Sequence, residues 1–287
     1  MPQFLTSEPA IRFMVFAAVF SSMAILELVS PRLARPEMAG SLKMRRWFTN
    51  LSMVVLSTIL MRVVFPAAAV GTAIFAERHG HGLLRAAQVP PFIGGVFAFV
   101  FLDFAVWLEH LASHKIPLLW RIHRMHHADQ GFDLTTALRF HPVEILLSMV
   151  WKAAIILALG PPVIAVLVFE IVLNATAMFN HANFKIPLPL DRRLRLFIVT
   201  PDMHRVHHST IQQETDSNYG FNLPLWDRMF GTYRDQPRDG HEAMKIGLDE
   251  FRGGSAAGLG WSLLLPFRPS GYEDRPQHGA QKTPSGK

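Results

Sequence analysis

Apolar residues run along the chain in blocks too long for an ordinary soluble helix, separated by short polar stretches. A helix rises about 1.5 Å per residue, so ~20 mostly apolar residues cross the hydrocarbon of a bilayer. Ile11–Val29, Leu51–Phe75 and Pro91–Leu108 come close to that length or exceed it. A longer block from Pro142 to Phe179 is cut by Gly160-Pro161-Pro162. Proline removes a backbone donor and clashes with the preceding turn, so the tripeptide predicts the tip of a helical hairpin. Three spans and a hairpin of two more follow. The first block comes after an acidic start and lacks a small-residue cleavage site, which predicts a retained span and not a removable signal peptide.

The loops orient these spans. Arg32, Arg35, Lys43, Arg45 and Arg46 lie between the first two, against one acid, Glu37. The next loop, Glu77–Pro90, carries only Arg78 and Arg85 beside Glu77. Excess Lys and Arg mark the cytoplasmic side, so the first loop is expected inside and the second outside. The third span then delivers residues 109–141 to the cytoplasmic side, and the hairpin returns residue 181 onward to that same side. Residues 183–233 are mixed, with turn signals at Pro187, Pro189, Pro201 and Pro224, and predict short helices and loops beneath the spans. Gly254–Phe267 is short and apolar, suited to interfacial docking. Pro269–Lys287 is polar and rich in Pro and Gly, and is expected to be disordered.

Composition agrees with a lipid environment. Of 287 residues, 50% are hydrophobic and only 17% charged, against about 25% charged in a soluble domain. Phe numbers 22 and Tyr 3, as expected where a hydroxyl would lack a partner. The net charge of +6 sits in short loops between apolar runs, which points to anionic headgroups and gives no sign of nucleic acid. With no cysteine, disulfides, thiol catalysis and iron–sulfur clusters are excluded. Any metal must be held by His, carboxylate or backbone oxygen.

Histidine supplies the chemistry. His110 and His114 are spaced i, i+4 at the end of the third span, on one helix face. His123-Arg-Met-His126-His127 places three imidazoles at i, i+3 and i+4, and His204-Arg-Val-His207-His208 repeats the pattern. His181 ends the hairpin's return helix. All are expected on one side of the membrane. A cationic headgroup surface would not explain histidines at helical spacing apart from the Arg and Lys. Imidazole suits Fe, Zn, Cu and Ni. One ion takes at most six ligands, so eight or nine clustered histidines imply two. Asp103, Asp129 and Asp202 lie near enough in sequence to steady such ligands. The expected fold class is all-α: an integral membrane helical bundle with a cytoplasmic helical metal-binding cap.

Asp103-Phe-Ala-Val-Trp107-Leu-Glu-His110 through His114, then Leu119-Trp120-Arg-Ile-His123-Arg-Met-His126-His127, resembles the fatty acid hydroxylase/sterol desaturase superfamily. So do Thr200-Pro-Asp-Met-His204-Arg-Val-His207-His208-Ser209, Asn218-Tyr219-Gly220 and Trp226-Asp227-Arg228-Met229-Phe230-Gly231-Thr232-Tyr233. The resemblance implies two Fe ions, O2 as co-substrate and an external electron donor of the cytochrome b5-like or ferredoxin-like kind. It implies hydroxylation or desaturation of a lipid such as a sterol, acyl chain or alkylglycerol. By match to the boxes, His110, His114, His123, His126, His127, His204, His207 and His208 become ligands, and His181 resembles the additional ligand before the last box. Members acting on ceramide acyl chains carry a further His four residues after that position, where this chain has Lys185. His141 either supplies that missing ligand or caps the hairpin's first helix. The pattern at His141 and His181 looks closer to the bacterial and alkylglycerol-monooxygenase-like branch. A bacterial plasma membrane is expected from the composition, with the endoplasmic reticulum as the alternative.

The domain organisation expected is an N-terminal transmembrane region (1–90), a fatty acid hydroxylase-like di-iron domain (91–235), and a C-terminal interfacial segment with a tail (236–287). A membrane metal transporter, or a non-catalytic sensor using the same histidines, is the rival reading. Transport would place ligands at the bilayer midplane. Glu170 inside the hairpin is either functional or paired with Lys152. Trp226-Asp227-Arg228 is expected to support the site and not to react, and His79 and His81 fall on the outer side.

Overall fold

The structure is a computed structural model that describes residues 3–34 and 39–269, with side chains from Glu8 onward. The polar tail expected to be disordered lies, apart from Pro269, outside the described residues, as do Arg35 and Glu37 of the first loop. The described residues are helical, with β-structure limited to two isolated bridges.

The long helices are α1 (Gln3–Val29), α2 (Gly40–Val64), α3 (Ala68–Arg78), α5 (Pro91–Lys115), α7 (Pro142–Leu159) and α8 (Val163–His181), with a single turn, α4 (Leu83–Ala86), before α5. α6 (Pro117–His127) follows α5 directly. Short helices complete the chain: α9 (Leu188–Leu194), α10 (Pro201–His207), α11 (Gln212–Thr215), α12 (Leu225–Met229), α13 (Gly240–Ala243) and α14 (Leu259–Leu264). Among the described residues, five stretches are long and apolar enough to cross a membrane: Glu8–Val29, Gly40–Ala86, Pro91–Lys115, Pro142–Leu159 and Val163–His181. Proline starts many of these helices. Pro91, Pro117, Pro142 and Pro201 occupy first-turn positions, where the missing N–H costs nothing and the fixed φ suits the helix.

The second span differs from the uninterrupted helix expected over Leu51–Phe75. It begins at Gly40 and breaks at Phe65-Pro66-Ala67. Pro66 cannot donate to the preceding turn, so the ladder stops and restarts as α3. The two pieces still make one passage. α2 begins among the histidine-bearing segments, and α3 packs on α7 and α8 toward the hairpin tip. At that far end the chain turns at Gly160, whose φ of 63° is left-handed and closes α7 as expected for a hairpin tip. Gly82 packs on the Gly160 backbone so closely that a Cβ at either position would overlap it.

The transmembrane core joins α3, α5, α7 and α8 through Ala69, Ala73, Leu102, Val106, Ile156, Val166 and Phe169, all buried. The outer faces remain apolar. Phe13 is 70% exposed and Leu28 76%, as hydrocarbon and not water requires. Glu170 resolves to the paired alternative: Lys152 Nζ donates to it at 2.7 Å and Arg12 lies at 3.5 Å.

The cap at the opposite end is held by buried charge. Arg46 of α2 pairs with Asp129 and Asp133, each at 2.6 Å, and Asn50 and Thr136 also donate to Asp129. Burial alone would raise the Asp129 carboxyl, but the Arg46 and Arg139 guanidiniums overcome it and hold it at about 2. The segment 254–267 does more than dock at an interface. It packs on α2 and α6, where Leu265 joins Met53, Trp120 and Met125 in a buried cluster. Arg139 donates to Ala256 O and Ser262 Oγ, and Arg124 to Leu265 O. Only its outer edge, Leu264 and Phe267, keeps large apolar side chains exposed.

Candidate metal centre

Four helices deliver nine imidazoles to one buried region. The C-terminal turns of α5 carry His110 and His114, and α6 carries His123, His126 and His127. His181 ends α8, and α10 with its cap residue brings His204, His207 and His208. α10 is placed by the Thr200 hydroxyl, which accepts from Met203 N–H as an N-cap. All nine are buried.

They form two groups. His110, His114, His123, His127 and His207 each offer a ring nitrogen within 4.8 Å of the others, and so do His126, His181, His204 and His208. The groups adjoin: the His127 and His208 rings stack with centroids 4.6 Å apart.

Hydrogen bonds behind the rings determine what faces inward. His110 Nδ1 donates to Tyr219 O at 2.7 Å, His207 Nδ1 to Ser217 O at 2.7 Å, and His181 Nδ1 to Ala177 O at 2.8 Å. His123 Nδ1 donates to the Glu144 carboxylate at 2.6 Å. A neutral imidazole has one N–H. With Nδ1 protonated, Nε2 is a bare lone pair. Yet the Nε2 atoms of His110 and His123 lie 3.2 Å apart, those of His207 and His110 3.1 Å, and those of His123 and His127 3.2 Å. In the second group His181 Nε2 lies 3.2 Å from His126 Nε2 and 3.1 Å from His204 Nε2. In the His110–His123 and His110–His207 pairs both Nδ1 atoms are anchored, so two bare acceptors face each other and make no hydrogen bond.

The rings are not rescued by protonation. Burial, with the neighbouring imidazoles adding to it, pushes His126, His127, His204 and His208 well below the ordinary histidine range. Burial and the nearby His123 take His207 to about 3. Further ring nitrogens, including both of His114 and both of His208, are buried without a hydrogen-bond partner. Buried lone pairs converging on one point are the donor set of a cation. Separations of 3.1–3.2 Å match adjacent ligands at ~2.1 Å from a first-row ion. The residues fit two metal ions.

His141 stands apart from both groups. It is the N-cap of α7: its Nδ1 accepts from Val143 N–H at 3.2 Å, and its Nε2 faces Leu263 O at 3.3 Å. Of the two roles open to it in the sequence, the structure gives it the cap. The three aspartates expected behind the ligands are also displaced. Asp103 accepts from Trp226, Asp129 is taken by Arg46 and its neighbours, and Asp202 pairs with Arg32 and Arg205. The carboxylates that reach the imidazoles are Glu144, on His123, and Asp216, 3.6 Å from His114 Nδ1. The signal for Glu144 in the sequence is an acid in the first turn of the helix that His141 caps. The carbonyl acceptors leave none, because every residue has one.

The Trp226-Asp227-Arg228 turn supports the site, as expected. Asp227 accepts from Trp107 Nε1 at 3.0 Å and from the Tyr219 and Gly220 amides at 2.9 and 2.8 Å, which holds the strand of chain whose carbonyl orients His110. His79 and His81 lie at the far end beside the Gly82–Gly160 contact, away from both groups.

Residues 95–232 match the family model for fatty acid hydroxylase. That stretch carries the fatty acid hydroxylase signature. The resemblance read from the histidine boxes is thereby borne out. Over 180 residues the chain is 30% identical to ornithine lipid hydroxylase OlsE of Rhizobium tropici, covering 62% of this chain and 52% of that protein. It is 32% identical over 141 residues to the alkylglycerol monooxygenase of Homo sapiens, covering 47% of this chain and 29% of the relative. A cholesterol 25-hydroxylase-like protein of Danio rerio is 30% identical over 135 residues, 45% and 51% of the two chains. The match thus spans about half the length of the first relative and under a third of the second. No solved structure matches the chain.

Proposed function

We propose that the chain is a membrane-bound, O2-dependent oxygenase that hydroxylates a C–H bond of a lipid, with two iron ions held by the nine imidazoles. The observation that carries this reading is the pair of adjoining buried groups whose Nε2 atoms face one another across 3.1–3.2 Å. Relatives acting on ornithine lipids and alkylglycerols support a lipid substrate. Iron is preferred to zinc because zinc has no redox chemistry.

When bound, the iron pair supplies O2 activation, with electrons from an external donor of the cytochrome b5-like or ferredoxin-like kind. The balance is R–H + O2 + 2e⁻ + 2H⁺ → R–OH + H2O. The chain's own residues prepare the site. Tyr219 O, Ser217 O, Ala177 O and Glu144 fix His110, His207, His181 and His123 with Nε2 aimed inward, so no reorganisation is needed on binding. Burial of all nine rings excludes water from the reacting volume. In this reading residues 91–235 are the di-iron domain, while α2 and α14 from the flanking regions complete its shell. The excess of basic residues in the first loop favours a cytoplasmic placement of the cap, in a bacterial plasma membrane or the endoplasmic reticulum.

The test is comparative lipid mass spectrometry under ¹⁸O2, with and without the protein and with His207→Ala. A labelled hydroxyl that requires the protein and vanishes in the variant is the expected result. An unlabelled alkene in its place would make the reaction a desaturation. Identical lipids in all strains, with metal flux into vesicles carrying the protein, would replace the oxygenase by the transporter.

A further inference from the structure

Among the described residues, five aromatic rings other than histidine lie against the two imidazole groups. Trp120 packs on His114 and His127 with centroids at 5.0 and 5.4 Å. Tyr219 packs on His110, His114 and His207 at 5.5, 5.1 and 5.6 Å. Phe132 packs on His181 and His208 at 5.7 and 5.0 Å. These three are 1%, 0% and 1% exposed, so that part of the wall is closed. Phe140 and Phe221 differ in being only partly buried.

Their placement differs too. The Phe140 ring lies flat on His126, 4.4 Å away at 12°, and reaches His123 at 6.2 Å. Phe221 contacts His110 at 5.0 Å and His204 at 6.1 Å. Each phenyl therefore touches one imidazole from the group of five and one from the group of four, and so borders the junction between them. Phe221 also packs against the transmembrane core around Leu102, Val106 and Phe169, so apolar contact runs unbroken from the bilayer interior to both groups. Its backbone is fixed on α8, where Asn180 donates to Phe221 O at 3.1 Å.

A C–H bond can be oxidised only where it reaches the junction, and a hydrocarbon chain gains most by approaching along apolar surface, ~25 cal/mol per Å² removed from water. We infer that the hydrocarbon chain of the lipid substrate reaches the paired imidazole groups between Phe140 and Phe221, and that these two side chains set which carbon is presented. They are positioning residues, with no part in bond making. The inference rests on the lipid-oxygenation reading, and adds the route and the residues that select the position.

Two measurements test it. In the first, the photoreactive analogue p-benzoylphenylalanine replaces Phe140, Phe221 or Phe132 singly in the full-length protein, which is irradiated in vesicles of the host's own lipids. Adducts of acyl or alkyl mass are expected at 140 and 221, at least tenfold above 132, which touches His181 and His208 of the group of four from the closed side. This readout needs neither bound iron nor turnover. Equal adducts at 132, or none at 140 and 221, would overturn the route.

In the second, the ¹⁸O product is mapped for Phe140→Leu, Phe221→Leu and Phe221→Trp. The hydroxyl position is expected to move by at least one carbon, or the ratio of positional isomers to change at least fivefold, with metal content unchanged. An unaltered position in all three removes the selecting role. Adducts at 140 and 221 in a protein that makes no labelled lipid would instead overturn the oxygenase reading and leave the lipid route standing.

Discussion

Glu144 offers the sharpest test of how the imidazoles are held. Its carboxylate accepts from His123 Nδ1 at 2.6 Å, and the pair is largely buried, with side-chain exposures of 1% and 14%. A charge-assisted bond of that length fixes the ring and raises the basicity of Nε2. In Glu144→Gln the amide oxygen still accepts but carries no charge. In Glu144→Ala the buried Nδ1–H loses its acceptor, at a cost of ~1–3 kcal/mol. Loss of a partner behind a ligand lowers metal affinity about 10–100-fold, or ~1.4–2.8 kcal/mol. The expected order of affinity is wild type above Gln above Ala. Chelator competition on the purified protein measures it directly. Glu144 also lies in the first turn of α7, where an acid stabilises the helix by ~0.3–1 kcal/mol. Unfolding of the metal-free protein therefore has to be measured alongside, so that the helix effect is subtracted. Binding within twofold of wild type in Glu144→Ala would refute the claim that this carboxylate positions a ligand.

Other outcomes follow from the same geometry. His141→Ala should keep its full metal content and lose ~0.5–2 kcal/mol of stability as an N-cap, whereas His181→Ala should lose metal; equal metal loss in both would return His141 to the ligand set. Chelation should lower the thermal midpoint and added metal restore it, because binding at 100 times Kd contributes ~2.7 kcal/mol; a midpoint indifferent to chelator counts against metal in this site. Arg46→Ala removes the guanidinium paired with Asp129 and Asp133 and should cost ~3–5 kcal/mol in denaturant unfolding. Asp129, depressed to about 2 from 3.8, contributes stability that is full above pH 4 and falls away as pH drops toward 2. Asp129→Asn should flatten the wild-type acid limb between those values, and an unchanged limb would contradict the pairing.

Much of this architecture was legible because helix geometry writes it into spacing. Gly160-Pro161-Pro162 placed the hairpin tip, and i, i+3, i+4 spacing placed the rings on shared faces. The same proline rule holds at Pro66, where the second span breaks although the apolar run continues past it. By sequence Arg46 is one of several loop cations, whereas in the fold it is buried between two aspartates from a distant segment. Such pairings are set by tertiary contact and leave no local pattern. Asp103, Asp129 and Asp202 are near the ligands in sequence alone, whereas Glu144 reaches His123 because α7 packs beside α6.

The division of the histidines into five and four follows from the boxes themselves. In α6 the i, i+4 pair, His123 and His127, joins the group of five, while His126 joins the group of four. In the α10 box the roles are exchanged: His204 and His208 join the four, and His207 the five. Each box thus gives two rings to one group and one to the other. The remaining contributions are unequal, a pair from α5 against His181 alone. A second ring beside His181 would come from position 185 if α8 continued, but the helix stops at His181 and Ala182 is its cap. Lys185 is exposed, with its amide donated to Ser30 O. The shortfall is therefore built into the backbone and not only into the residue at 185. Lys185→His should leave metal content and affinity within twofold of wild type, because the new imidazole would project from an extended segment tied to the first loop. A tenfold gain in affinity, ~1.4 kcal/mol, would show that α8 can extend by a turn and that residue type alone keeps the second group at four.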